Sequence, residues 1–566
     1  MPAAAAGLTL AAMKKPQLLR VAGAVLLSVA AAGCSVMPSA PTAQARPKLV
    51  VFMAVDGFPQ RQVLAYRDQL APDGLARFLD RGAWFANAHY GHSVTATAPG
   101  HATMLTGAYP HRTGIINNEW RDVNTGAAVY NTGDTQHTYI GHQTRPLDGT
   151  SPRNLKVETV GDVLRRVDPR SKVIAISGKD RGAILPAGRT GTAYMYMSQT
   201  GQFASSTYYM KEHPAWVTTF NAGKPADRYF KTEWKPLLPE AAYARSLPDA
   251  QPWFGKRVGK LPMMMGAPND DAPGLSYYSG LLPSPFADAL ALDFARAAIA
   301  GEGLGRDDAP DILSVSLSGH DYVNHYWSAE SRLSHDHVLQ LDRLFEAFFR
   351  DLDATVGRDN YVAVLTADHG FMPAPEYSQS QGRQAGRLTP AQLLTRINAD
   401  LQRQFGEPKL VPFISASTAL VVDRKVVAQK GLDLNVVAEA ARASLLADPA
   451  VAAAYTRREL ESGSKAGAPY FGQMRRSWHQ DVSGDVHYAL KPYWMNASSS
   501  GYSTTHGSPH EYDTHVPILV YGPKWVKPGK VEARVEVADI APTIARWLGV
   551  PPPAAAEGRP LPLAAP

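Results

Sequence analysis

The chain has 566 residues, 45% of them hydrophobic and 19% charged, with a single Cys and a formal net charge of +6. A sequence this apolar and without repeats is neither disordered nor fibrous, and one Cys cannot build a disulfide scaffold. The length allows roughly two to four domain-sized units, or one large elaborated domain.

Residues 1–34 read as an export signal. Lys14, Lys15 and Arg20 precede the apolar run Val21–Ala32, which at about a dozen residues is too short to span a bilayer. Met13 is the more ordinary start, which makes residues 1–12 a start-site artefact. Cys34 follows Ala-Ala-Gly as in a bacterial lipoprotein box, although Ala31 stands where Leu is preferred, so lipidation at Cys34 and plain cleavage nearby both stay open. Either outcome puts the mature chain outside the cytoplasm, in the periplasm, with no transmembrane segment and with a lipid anchor only through Cys34. The signal carries three positive charges and no negative one, so the net charge falls from +6 to +3. That balance gives no support to a nucleic-acid duplex as partner.

A Pro/Ala/Ser tether over 35–46 leads into the body. Lys48–Val55 is a continuous apolar run ending in Asp56-Gly57, the pattern of a buried parallel strand with a functional residue at its C-terminal end. Val173–Ser177, Ile312–Leu317, Tyr361–Thr366 and Val516–Tyr521 repeat it. Val338, Leu341, Phe345, Phe348 and Leu352 mark one face of a helix, and Asp539–Leu548 reads as a capped helix with Pro542 in its first turn. Strands alternating with helices predict an α/β fold, an α/β/α sandwich around a mainly parallel sheet. Two stretches break the rhythm: 187–283, rich in aromatics and Pro, and 373–500, with helices near Pro390–Phe405 and Asn435–Ala447 around an apolar strand at Thr418–Val422. Both are expected to be insertions capping the site. They divide the core into 47–186, 284–372 and 501–550, ahead of a Pro/Ala-rich tail over 551–566.

The same residue types recur beside the strand candidates: Asp56, Asp321 with His325, Asp368-His369, and His506. Carboxylates and imidazoles suit Zn²⁺ or a similar divalent ion, and open α/β sheets hold ligands outside the carboxyl ends of their strands. Thr97 precedes Pro99-Gly100-His101 and a helical run, so it stands at a helix N-terminus, where N–H groups and the dipole favour an anion. A metal would lower the pKa of its hydroxyl. His335 and His337 are read as cap or exposed positions, and His101, His111, His510 and His515 as structural.

Together these motifs resemble the alkaline phosphatase superfamily: AVDG at Asp56, TAPGH at Thr97, LTGAYPHRTGI, ADHG at Asp368 and STTHG at His506. The branch resembled is the one with a Thr nucleophile, shared by nucleotide pyrophosphatase/phosphodiesterases and PafA-type alkaline phosphatases. The resemblance implies two Zn²⁺ ions, one held by Asp321, His325 and His506, the other by Asp56, Asp368 and His369 with Thr97 as its attacking ligand. It also implies that Asn118 hydrogen-bonds a phosphoryl oxygen, and that a phosphothreonine forms at Thr97 and is then hydrolysed.

The stretch SGKDRGAILPAGRT starts at the last residue of a strand candidate and places Lys179 and Arg181 between Gly178 and Gly182, which allow a tight loop. It resembles the PafA-type segment whose Lys and Arg bind the phosphoryl group. Cationic donors there favour a dianionic monoester, so small phosphate monoesters are the expected substrates. The rival is a phosphodiesterase of the same fold, and more remotely a non-catalytic, lipid-tethered binding protein. A type I sulfatase would need Cys or Ser where Thr97 stands, and no G-x-S-x-G elbow of a serine hydrolase is present.

Overall fold

The computed structural model describes residues 46–254, 259–497 and 500–564. The expected export signal, Cys34 and all of the tether but Arg46 lie outside the described residues.

The apolar runs form the middle of a nine-stranded sheet. From one edge its order is Gly529–Glu536, Ala83–His89, Ile518–Tyr521, Tyr361–Thr366, Leu49–Val55, Asp311–Leu317, Val173–Ser177, Thr192–Met197 and Gln202–Ala204. Seven strands run in one direction; Ile518–Tyr521 and Gln202–Ala204 run against it. Every residue of Leu49–Val55, Asp311–Leu317 and Tyr361–Thr366 is buried. Burial on both faces of a strand requires a layer on each side of the sheet. The helix expected around Phe345 spans Arg332–Leu352, and its Val338, Leu341, Phe345, Phe348 and Leu352 are all buried.

The run at Val516–Tyr521 departs from expectation. It is a strand only from Ile518 and it is antiparallel to its neighbour Tyr361–Thr366. Its N-terminal end therefore lies at the edge where the parallel strands have their C-terminal ends, and this is what brings His506, ahead of the strand, to that edge.

The stretch 187–283 opens with the two outer strands Thr192–Met197 and Gln202–Ala204. Many of its aromatics are core: Trp234, Tyr194 and Tyr277 are buried, and Phe203 and Tyr194 pack on Phe294 of the helix Pro285–Glu302. The stretch 373–500 has its own four-stranded sheet, in the order Phe413–Ser415, Ala419–Val421, Val486–Leu490, Val451–Thr456. Its helices Pro390–Phe405 and Leu434–Leu446 bury Ile397, Leu401, Val437 and Leu445 in a separate apolar cluster.

Candidate active site

Three adjacent strands set the centre. Val55 pairs with Leu317 and Ala54 with Thr366, so the strand ends are level and Asp56, Asp368 and the helix Gly319–Trp327 meet. Asp321 and His325, one turn apart on that helix, share a face. Gly57 ties the three pieces together. Its N–H donates to Asp368 Oδ1 at 2.9 Å, and its carbonyl accepts from Asn324 Nδ2 at 3.0 Å. Its φ of +69° is left-handed, and a Cβ would lie 3.0 Å from the Phe371 ring, so glycine is required twice over.

The imidazoles are oriented by backbone carbonyls. His325 Nδ1 donates to Thr504 O at 3.0 Å, His369 Nδ1 to Gly370 O at 2.9 Å and His506 Nδ1 to Thr95 O at 2.8 Å. A carbonyl only accepts, so Nδ1 carries the proton in each ring and the Nε2 lone pair faces the carboxylates. His369 Nε2 lies 3.5 Å from Asp56 Oδ1, 3.6 Å from Asp368 Oδ2 and 3.9 Å from Asp321 Oδ1. All four of these atoms are buried without a hydrogen-bond partner among the described residues. Lone pairs facing lone pairs in a dry pocket are costly unless a cation sits among them. The donor set of carboxylate oxygens and neutral imidazoles therefore fits divalent metal.

Charge points the same way. Three buried carboxylates face one ammonium, Lys179 Nζ, which donates to Asp56 Oδ2 at 2.7 Å and Asp321 Oδ2 at 2.5 Å. Burial, reinforced by Asp368, pushes the Asp56 carboxyl well above the usual range, and Lys179 only partly offsets this. At Asp321 burial is outweighed by Lys179 and the three imidazoles, which hold the carboxyl well below that range. Burial keeps His325, His369 and His506 below the ordinary imidazole range, hence neutral and able to ligate.

Thr97 is the first residue of the helix Thr97–Thr106 and is buried. Gly100 lets that helix seat on the strand end, since a Cβ there would lie 2.2 Å from the Asp368 carbonyl. His101 links Thr97 and a carboxylate: its ring contacts Thr97 O at 2.9 Å, Asp368 Oδ2 at 3.3 Å and Ser316 Oγ at 2.8 Å. Asn118 Oδ1 accepts the Ala98 N–H at 2.8 Å, which holds the amide beside Thr97. Lys179 and Arg181 do not sit in a loop: Lys179 is the N-cap, and Arg181 lies in the first turn, of the helix Asp180–Ala187. Arg181 Nη1 donates to the Tyr130 hydroxyl at 3.1 Å, and Tyr130 donates to Asp180 Oδ1 at 2.6 Å. Thr97, Asn118, Lys179, Arg181, His325 and His506 line one cavity of about 610 Å³. Asp56, Asp368 and His369 lie buried beside it. The second aperiodic stretch adds Ile414, Ser417, Tyr488 and Trp494 to the cavity wall. The first reaches the site through Trp253, whose carbonyl accepts from Ser503 Oγ at 2.9 Å.

The ten expected residues thus converge, with two differences. Asp56, Asp368 and His369 form the expected triplet, with ligand atoms all within 4.8 Å of one another, but the second such triplet is Asp321, His369 and His506. His325 Nε2 is 3.4 Å from Asp321 Oδ1 but outside that triplet; His369 stacks on His506 with centroids 3.4 Å apart, and His325 stacks on Tyr502. Lys179, expected to meet phosphate, sits on the carboxylates, whose buried charge attracts it. His335 and His337 are fully buried, not exposed or capping. The helix Arg332–Leu352 is packed on that side too: His335 stacks on Tyr66 and bonds Gln69 and Ser246, while His337 meets His320 and Asp288. Sequence reasoning left Asn324 unassigned and read His101 as structural. The helical spacing of Asn324 from Asp321 and of His101 from Thr97 is a signal, but a weak one, since any helix offers such neighbours.

The chain matches the family model of type I phosphodiesterase / nucleotide pyrophosphatase over residues 50–513. It is 33% identical to alkaline phosphatase PafA of Elizabethkingia meningoseptica over 91% of this chain and 94% of that one. It is 34% identical to alkaline phosphatase PhoV of Synechococcus elongatus, covering 93% and 94% respectively. Among solved structures it is similar to crystalline wild-type PafA, with a TM-score of 0.84 at 32% identity over 91% of this chain and 98% of that chain.

Proposed function

Because the chain belongs to the type I phosphodiesterase / nucleotide pyrophosphatase family, and within it to the PafA-type alkaline phosphatases, we propose that this phosphoester hydrolase cleaves phosphate monoesters through a phosphothreonine at Thr97, with two zinc ions as cofactors. One observation carries the reading: unpartnered Nε2 and carboxylate oxygen atoms converge beside a threonine at a helix N-terminus. Asp56, Asp368 and His369 would hold one ion, with Thr97 beside it, and Asp321, His325 and His506 the other. Bound there, the ions supply Lewis-acid stabilisation of the charge on the attacking and departing oxygens.

The protein's own groups do the rest. The helix N-terminus and the Asn118 amide receive phosphoryl oxygens, and Arg181 and Lys179 oppose the dianion's charge. Thr97 Oγ1 bonds to phosphorus in line as the ester P–O bond breaks and the alcohol leaves. Water then cleaves the Oγ1–P bond and restores the threonine. The export signal read at 1–34 places this activity outside the cytoplasm.

The test is Thr97→Ala beside Thr97→Ser. Loss of p-nitrophenyl phosphate turnover by a factor on the order of a thousand or more is expected for alanine. Serine should keep turnover and yield an acid-stable phosphoenzyme on quenching. Full activity of the alanine variant overturns the assignment, and faster turnover of the bis-ester than of the monoester would replace the substrate class.

A further inference from the structure

The cavity is larger than its phosphoryl contacts require. About 610 Å³ lies within the roughly 300–1,000 Å³ of clefts that enclose a whole small molecule. Two rings stand where this space adjoins Asp321 and His325. Tyr502 stacks on the His325 imidazole with centroids 4.3 Å apart and planes inclined by 20°, and Tyr326 meets its ring at 5.4 Å. Tyr322, the residue after Asp321, lies under the Lys179 ammonium, 4.9 Å from the ring centroid. Both tyrosines line the cavity and are partly exposed.

The loop carrying Tyr502 is pinned. Arg387, paired with Glu376 through two 2.9 Å contacts, donates to the carbonyls of Tyr502 and Ser503 at 3.3 and 2.7 Å. Ser503 Oγ, with one proton to donate, lies 2.9 and 2.5 Å from the carbonyls of Trp253 and Tyr326. A ring already held in place loses little freedom when a ligand stacks on it.

The geometry points to Tyr322 and Tyr502 as a leaving-group subsite that favours esters whose alcohol carries an aromatic ring. This rests on the phosphatase reading above: with Thr97 beside Asp56, Asp368 and His369 and attack in line, the ester oxygen departs on the opposite side, beside Asp321, His325 and His506. The carbon skeleton attached to that oxygen then emerges between the two tyrosines, where an aromatic ring gains offset-stacked or edge contacts that an alkyl chain does not.

The experiment compares 2-phenylethyl phosphate with ethyl phosphate, whose alcohols differ little in acidity, in the full chain and in Tyr502→Ala, Tyr502→Phe and Tyr322→Ala. The kcat/KM of Tyr502→Ala for the phenylethyl ester should fall roughly two- to tenfold further than its kcat/KM for the ethyl ester, and Tyr502→Phe should keep the wild-type ratio. Inhibition by phenylphosphonate against methylphosphonate should shift in parallel. An unchanged ratio in both alanine variants overturns the subsite. So does an equal or greater loss on ethyl phosphate, which would mean that Tyr502 acts only through His325. Tyr322→Ala carries the test if removing Tyr502 unfolds the chain. If neither ester turns over, the phosphatase reading fails, while the two phosphonates still decide the subsite.

Discussion

At Lys179 an ammonium lies between two carboxylates that the fold buries, and burial alone would lower its pKa; Asp321 and Asp56 reverse the sign and hold it above the usual lysine range. It therefore stays charged, balancing the cluster and lining the cavity at once. Arg181 is the cleaner probe of substrate charge, because its guanidinium donates to the Tyr130 hydroxyl and not to a carboxylate of the cluster. Arg181→Ala should cost about 100-fold in kcat/KM on p-nitrophenyl phosphate and under about tenfold on the bis-ester, as expected for one lost donor to a dianion. Equal losses on the two esters would remove the dianion clamp. Lys179→Ala should hurt both substrates, since it also strips the compensating charge from Asp56 and Asp321. The chemistry of these residues was legible in the sequence from their types and order. Lys179's double duty was not, because an ion pair between residues 142 positions apart leaves no trace in local pattern.

At the scale of elements, the site depends on how closely a helix can approach a strand end. The helix Thr97–Thr106 seats Gly100 against the Asp368 carbonyl, so a methyl there meets backbone at 2.2 Å and not a side chain that can swing away. Gly100→Ala should leave the circular dichroism spectrum unchanged and lower kcat/KM by about 100-fold, the cost of misplacing a reacting group by about an ångström. Wild-type activity in that variant would show that the seat is loose. Asn324 performs a matching task from the other side, bracing the helix of Asp321 and His325 against the Gly57 carbonyl. The buried parallel strands were readable as continuous apolar runs. Ile518–Tyr521 has the same composition yet runs antiparallel, and composition carries no direction.

For the whole molecule, the expected metal ligands come from positions as far apart as Asp56 and His506, so ions bound there would cross-link the central sheet to the loop before its antiparallel strand. A ligand that binds only the folded chain stabilises it, by about 2.7 kcal/mol at a hundredfold excess over Kd. Exhaustive chelation should therefore lower Tm by several degrees and abolish turnover, with Zn²⁺ restoring both. A Tm and activity indifferent to chelator would remove metal from the mechanism.

The α/β class, the ordered motif set and the residue types of the cluster could be read before any folding, because apolar runs and chemical type are local properties. Which nitrogen of each histidine faces the site, that His335 and His337 are core, and that the second aperiodic stretch walls the cavity came from the folded chain alone. Each of these depends on a partner, whether a backbone carbonyl or a packing face, that lies far away along the chain. Distance along the chain is what folding removes.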